Sequence, residues 1–322
     1  MVIEGRSGIG YGAMVLSPGM YGEIDDRRGE AALRAALDAG AVMIDTADGY
    51  GPDGHNERLV GRALDGRDDV LVATKFGFRI PDGAEAHRFP VNYAFGELAV
   101  NCEPKFVRGY AEQSLRGLGV EAIDLYYPHF PDPQVPFEDT VGAVAELVED
   151  GLVRRLGVSN VTAEQLRAAH AVHPVAAVQA QWSMWQAVDP ELLAAAKELG
   201  VAVVAWSPLG GGFLTGTVEG LGEGDFRHQQ ERFSGDNLRT NNDRYAPVRA
   251  IAAELAVTPG QLALAWLLHR DAQVVPIPGS RTPAHITENL AAAELALDAP
   301  TLARIDAALA AFAPVGEGAL ME

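Results

Sequence analysis

Two hydrophobic patterns alternate along the chain. Short apolar runs rich in Val, Ile, Ala and Leu, bounded by Gly, Asp or Pro, read as buried strands. Between them lie longer segments with apolar residues three and four apart, the helical period. The run "IGYGAMVL" at 9–16 predicts the first strand. "RRGEAALRAALDAG" then places Leu33 and Leu37 one turn apart and stops at Gly40, as a helix would. The strands "AVMIDT", "DVLVATK", "AIDLYY", "VRRLGVSN", "VAAVQA", "VAVVAWSP" and "QVVPIPGS" follow in turn. The helices between them are "NERLVGRAL", "PKFVRGYAEQSLRGLG", "FEDTVGAVAELVEDG", "TAEQLRAAHAV" and "DPELLAAAKELG", and then, beyond a long loop, "APVRAIAAELA" and "PGQLALAWLLHR". Pro104 suits a first helical turn, Thr162 a cap, and Asp189 a cap before Pro190. "PAHITENLAAAE" and "APTLARIDAALAAF" close the chain.

Strands that alternate with helices imply a parallel sheet with right-handed crossovers. Eight such units in 322 residues match a (β/α)8 barrel, taken as one domain over 1–322; a doubly wound sheet is the alternative. Two stretches exceed ordinary loop length, 76–103 and 210–242. Both follow strands, so in a barrel both lie on the face that carries active sites. "GIGYGA" looks like part of a nucleotide-binding fingerprint, but no helix opens directly after it, so a Rossmann unit is rejected.

Composition narrows the class. The chain is 48% hydrophobic and 21% charged, as in a soluble protein with a large core. A net charge of -19 with no basic block argues against nucleic acid and against an acidic membrane surface. The single cysteine, Cys102, permits no intrachain disulfide and no cysteine-based zinc site. With no apparent signal peptide and no apolar run near the ~18 residues of a membrane helix, the expected location is the cytoplasm.

The candidate chemistry sits at strand ends. Asp45 ends the second strand and Lys75 the third; His129 follows the fourth. Ser159 and Asn160 end the fifth, Gln179 the sixth, and Trp206 and Ser207 the seventh, while Ser280 and Arg281 follow the eighth. Tyr50 lies just past Asp45, in a turn with Gly49 and Gly51. Singly, each has an ordinary explanation: a snorkelling lysine, a loop histidine, an aspartate bonded to its own turn. Together they would converge on one barrel mouth, where polar groups read as catalytic. A phenol titrates near ~10, and an adjacent ammonium lowers that value. Asp45, Lys75 and Tyr50 could therefore form a tuned general acid, with His129 bonding a substrate oxygen or relaying the proton.

The segments "DTADGYG", "ATKFG", "DLYYPH", "GVSN", "WSPLGGGFLTG" and "PIPGS…ENL" together resemble the aldo-keto reductase superfamily, over roughly residues 8 to 312 and in the right order. The resemblance implies a barrel that binds an extended nicotinamide cofactor, usually NADPH with NADH as the alternative, and reduces an aldehyde or ketone. It makes Tyr50 the general acid, tuned by Asp45 and Lys75, with His129 orienting the carbonyl. It assigns Ser159, Asn160 and Gln179 to the nicotinamide carboxamide, and Trp206 to the ring, where many members have Tyr. Ser207, Pro208, Leu209 and Gly211 would approach the pyrophosphate. At the adenosine end, some members carry a Lys and an Arg where this chain has Gly279 and His285. There Ser280 and Arg281 remain, with Glu288 and Asn289 facing the adenine and Arg281 suited to a 2′-phosphate.

Met14, Tyr21 and Trp182 are candidate substrate-wall residues by position, with core packing as the alternative. His170 and His173 lack a third ligand, so no metal is expected. Other readings of the same resemblance are a cofactor-binding partner protein, as in potassium-channel β subunits, and an NAD-dependent sugar or alcohol dehydrogenase. Neither the substrate's identity nor a protein partner is fixed by the residues.

Overall fold

Eight strands pair in the order β1 (Tyr11–Gly12), β2 (Met43–Asp45), β3 (Leu71–Phe76), β6 (Leu125–Pro128), β7 (Leu156–Ser159), β8 (Val175–Gln181), β9 (Ala202–Trp206) and β10 (Val274–Pro276). The strand pairs described among them are all parallel. The computed structural model describes residues 8–92, 96–270, 273–318 and 320. First and last strands meet through Gly10 N–H to Pro276 O (2.9 Å) and Gly12 N–H to Pro278 O (3.2 Å), which brings the sheet round into a nearly closed barrel. Gly12 permits that meeting, since a Cβ there would lie 2.7 Å from the Ile277 carbonyl oxygen.

The helices α1 (Asp26–Asp38), α2 (His55–Leu64), α3 (Pro104–Leu118), α4 (Phe137–Glu149), α5 (Ala163–Val172) and α6 (Pro190–Leu199) pack each on the next around the barrel. The ring continues through α7 (Gly235–Glu254), α8 (Pro259–Leu268) and α9 (Pro283–Ala291), and α9 returns to α1. The final helix, α10 (Ala299–Ala311), packs on α7. Local sequence starts several of them: Asp25 accepts from Arg28 N–H, and Thr162 and Thr258 form capping boxes with Gln165 and Gln261. Apolar residues form two layers. Met43, Leu71, Ala73, Leu125, Tyr127 and Val204 fill the barrel interior, while Ile44, Val72, Tyr126, Val178 and Val203 face the helices.

Three elements differ from the sequence reading. The strand expected over 9–16 ends at Gly12, and Ala13–Leu16 is a 3-10 turn. Ala13 and Leu16 are three apart, so one face of that turn buries both, while Asn56 takes the Ala13 carbonyl out of the sheet. The long segment 76–103 contains an antiparallel hairpin, β4 (His87–Pro90) with β5 (Glu97–Val100). The segment 210–242 is shorter as a loop than expected, because α7 starts at Gly235 and runs through Pro247. Pro247 is exposed, so the carbonyl it leaves unbonded inside the helix faces water rather than the core. The buried face of α7 carries Leu238, Asn241, Tyr245, Val248 and Ala252, a helical spacing masked by polar neighbours.

Candidate active site

Strand parity brings the site together. Successive residues of a strand face opposite ways, so the inward Met43 puts Asp45 inside, and Leu71 and Ala73 put Lys75 inside. The same parity carries Tyr127 to His129, Ala177 to Gln179 and Gln181, and Val204 to Trp206. Gly157 belongs to this inner face and leads to Ser159; a Cβ on it would lie 2.4 Å from the Tyr127 ring. The interior layer of apolar side chains therefore ends upward in a layer of polar ones.

Lys75 is fully buried and donates to Asp45 Oδ1 (2.5 Å), the Thr46 carbonyl (2.8 Å) and the Tyr50 hydroxyl (3.4 Å). Asp45 Oδ2 accepts from Gln179 Nε2 at 2.8 Å. Burial works against the Lys75 charge, but Asp45 and Tyr50 outweigh it and hold the ammonium above the ordinary lysine value. Burial lifts the Asp45 carboxyl above its usual range, against the pull of Lys75 and Gln179. Tyr50 differs from the sequence expectation of a lowered pKa. Burial raises it, Lys75 pulls it down, Asp45 pushes it up, and the net direction is upward. The phenol is thus held as a protonated group beside a cation.

The Tyr50 turn has its own anchors. Asn56, fully buried, donates its backbone N–H to the Tyr50 carbonyl at 3.1 Å and its amide to Ala13 O (2.9 Å) and Ser17 Oγ (3.1 Å). Its Oδ1 accepts from Thr46 Oγ1 at 2.6 Å, next to the carbonyl that receives Lys75. The sequence reading missed this role, because an Asn in a helical run reads as a surface residue.

His129 sits edge-on to Tyr50, with ring centroids 5.6 Å apart. Burial first, and then the Lys75 charge, hold the imidazole well below its ordinary pKa, so it is neutral. Its Nδ1 is buried, with no hydrogen-bond partner among the described residues. Asn160, at φ 56, donates to the His129 carbonyl (3.0 Å) and to Ser159 Oγ (3.0 Å), and accepts from Trp206 Nε1 (3.1 Å). One asparagine therefore fixes the histidine loop, Ser159 and the indole. The half-buried Trp206, beside the Ser159, Asn160 and Gln179 amides and hydroxyl, fits a flat heteroaromatic carboxamide. Beyond it Ser207 (φ 52) and Gly210, Gly211 and Gly212 all turn left-handed, and Ser207 Oγ accepts from Gly211 N–H. Pro208 and Leu209 are buried under this turn.

Toward the eighth strand, Gly279 packs against β1; a Cβ there would lie 2.7 Å from the Gly12 carbonyl. Ser280 O accepts from Tyr11 OH at 2.6 Å. Arg281 donates to the carbonyls of Val15, Tyr21, Gly22 and Glu23. Those four bonds leave one of the five guanidinium N–H groups for a phosphate. Glu288 Oε1 accepts from Thr258 Oγ1 at 2.9 Å, and Asn289 is buried on α9.

The mouth has three covers. Phe78 of the first long loop lies 4.4 Å from the His129 ring, and the hairpin is pinned by His87 Nδ1 at 2.8 Å from both Asp132 carboxylate oxygens. In the second loop Asp225 bridges to Tyr21, whose ring meets Phe226 edge-on, and Arg227 donates to Gly211 O. The third cover, the C-terminal tail, was not anticipated. Arg232 donates to Gly316 O, and Asn241 bonds Val315 at both N–H and C=O. Gln181 then donates to Gly318 O (2.9 Å) and accepts from Leu320 N–H (3.1 Å). Only the inward parity of Gln181 hinted that something would meet it. Of the expected wall residues, Met14 is half-buried in the 3-10 turn after β1 and Tyr21 is half-buried against Phe226 of the second loop, whereas Trp182 packs in the core against Trp266. His170 and His173 bond backbone groups at the end of α5, and no group of three or more potential metal-ligating residues occurs among the described residues.

The family model for the aldo/keto reductase family matches residues 8–310. A probable aldo-keto reductase 1 of Glycine max is 36% identical over 316 residues, spanning 97% of this chain and 86% of that protein. The glycerol dehydrogenase AKR11B4 of Gluconobacter oxydans superposes with a TM-score of 0.80 at 27% identity, over 98% of this chain and 95% of that one. An aldo-keto reductase from Klebsiella pneumoniae, solved in complex with NADPH, gives a TM-score of 0.70 at 25% identity, over 98% and 94% of the two chains. The chain belongs to the aldo/keto reductase family, oxidoreductases that reduce carbonyl groups with NAD(P)H.

Proposed function

We propose that the chain reduces a small aldehyde or ketone with NADPH, and that Tyr50 gives the proton. The observation that carries this is the Asp45–Lys75–Tyr50 chain of contacts with His129 at its edge, all at the barrel mouth. When bound, the nicotinamide cofactor would supply the hydride for the carbonyl carbon. As that bond forms, charge grows on the carbonyl oxygen, and the Tyr50 hydroxyl, 3.4 Å from the Lys75 ammonium, transfers its proton there. Lys75 stabilises the phenolate left behind, and Asp45 holds Lys75 charged and in place. Neutral His129 bonds the carbonyl oxygen and sets its orientation. Ser159, Asn160 and Gln179 would hold the carboxamide, Trp206 would stack on the ring, and the Ser207–Gly211 turn would receive the pyrophosphate. Arg281 is assigned to fastening the 15–23 segment beside the cofactor site.

No single described helix is long and apolar enough to cross a membrane, and Cys102 is buried and free. A cytoplasmic enzyme acting on a diffusible carbonyl is the reading that fits. The test is Tyr50→Phe, with NADPH binding followed by fluorescence and NADPH oxidation followed across a panel of simple aldehydes, ketosugars and dicarbonyls. Binding is expected to persist while turnover falls by about 10²–10⁴-fold, the usual worth of a general acid. Turnover near the wild-type rate would remove Tyr50 from the role.

A further inference from the structure

Two residues before Tyr50, the side chain of Asp48 is 3% exposed and belongs to no role assigned above. Its backbone N–H donates to the Lys75 carbonyl at 2.9 Å, so this segment still follows β3 beyond Asp45. Its Oδ2 accepts from the N–H groups of Gly77 (3.0 Å) and Arg79 (3.1 Å). The two segments also touch between these bonds, where a Cβ on Gly49 would lie 2.5 Å from Phe78 Cβ. Phe78 in turn lies against the His129 ring. Asp48 therefore clasps the turn bearing Tyr50 to the loop that backs His129.

The clasp alone does not need a carboxylate. An amide oxygen would accept the same two bonds without burying an ionisable group. We propose that Asp48 is a positioning residue for Tyr50 and that its charge sets how firmly the phenol keeps its proton. This rests on the reading of Tyr50 as the proton donor.

The groups around Asp48 come from every neighbouring element. Glu57 stands on α2, Tyr110 on α3, Tyr126 on β6 and Cys102 just before α3, while Lys75 and Arg79 act on Glu57 from the β3 side. Burial, with Glu57 adding repulsion, pushes the Asp48 carboxyl up to about 7 against the pull of the Arg79, Gly77 and Gly49 amides. It thus changes charge near neutrality, and its negative form raises the proton affinity of Tyr50. Ionisation of Asp48 should therefore hold the phenol protonated to higher pH.

The experiment is the pH profile of kcat for carbonyl reduction at saturating NADPH, for wild type, Asp48→Asn and Asp48→Glu. Wild type should show an inflection near neutral pH and an alkaline limb that reports Tyr50. Asp48→Asn should lose the neutral inflection and move the alkaline limb to lower pH, because the carboxylate that raises the phenol's proton affinity is gone. Asp48→Glu keeps the charge and should keep the inflection at a reduced rate. A wild-type profile without the neutral inflection, or an Asp48→Asn profile that is the wild-type one scaled down at every pH, would overturn the proposal. Should Asp48→Asn not fold, the wild-type and Asp48→Glu profiles decide: an inflection lost in Asp48→Glu also overturns it. Tyr50→Phe, run beside these, separates the two readings, since full activity there sinks the proton donor rather than Asp48 alone.

Discussion

Lys75→Met tests the energetics of the site. The wild-type ammonium is fully buried and bonds a carboxylate that is itself 2% exposed. Removing one partner of a buried pair strands the other charge, which costs about 3–5 kcal/mol. Neither group is solvent-screened, so no discount applies. For 322 residues, an unfolding entropy of about 2.1 cal/mol/K per residue makes this a fall in Tm of roughly 4–7 °C. The loss should depend on pH with a definite sign. The Asp45 carboxyl, already raised by burial, rises further without Lys75. The folded variant then keeps a proton that the unfolded chain has released, so stability falls as pH rises through that window. Melting curves at about pH 5 and about pH 8 should show the larger deficit at the higher pH. In wild type, the raised Lys75 pKa confers stability that is lost only as pH climbs through that value in the alkaline range, so it is flat between these two points. Adding Asp45→Asn to Lys75→Met removes the stranded charge while keeping an acceptor for Gln179. It should recover much of the stability and none of the activity. A single variant that melts within a degree of wild type, or a deficit identical at both pH values, would refute the reasoning.

Other expectations follow from single contacts. Arg281→Ala frees the 15–23 loop, so KM should rise by similar factors for NADPH and NADH; a rise confined to NADPH, by about tenfold or more, would assign the guanidinium to the 2′-phosphate instead. Gly157→Ala puts a methyl 2.4 Å from the Tyr127 ring inside the barrel and should cost about 1–3 kcal/mol in chemical denaturation, partly recovered by adding Tyr127→Leu; a variant as stable as wild type would show that the interior layer can shift.

The sequence and the fold agree most closely where chemistry coincides with strand period. Lys75 could be placed because "VLVATK" is an apolar run that ends in a charge, and in the structure strand parity turns that ammonium inward. Asp45, Gln179 and Trp206 could be placed in the same way, as the polar or aromatic ends of apolar strands. What the pattern could not convey was the balance of opposing terms at Tyr50. A lysine next to a phenol argues for a lower pKa, but the cost of full burial is set by the packing of several loops around it, and that cost is the larger effect. The same holds for Arg281, whose planar fork suits phosphate yet meets four main-chain carbonyls in a loop with no periodicity of its own.

The covers of the mouth were least legible for a related reason. Their bonds run between side chains and irregular backbone, as in Asn241 to Val315 and Gln181 to Gly318 and Leu320. A polar residue that satisfies a distant carbonyl looks, in sequence, like one that faces water. Buried asparagines and glutamines at inward strand or helix positions are the signal that remains, since an amide has both donor and acceptor to satisfy and can do so by gripping a strand-like tail. Asn56 and Asn241 fit that description, and the half-buried Gln181, at the end of β8, and Asn160, just past β7, do the same work at strand ends. Amide side chains in this chain thus tie the irregular segments to the barrel, while the charged pair and the phenol are left for chemistry.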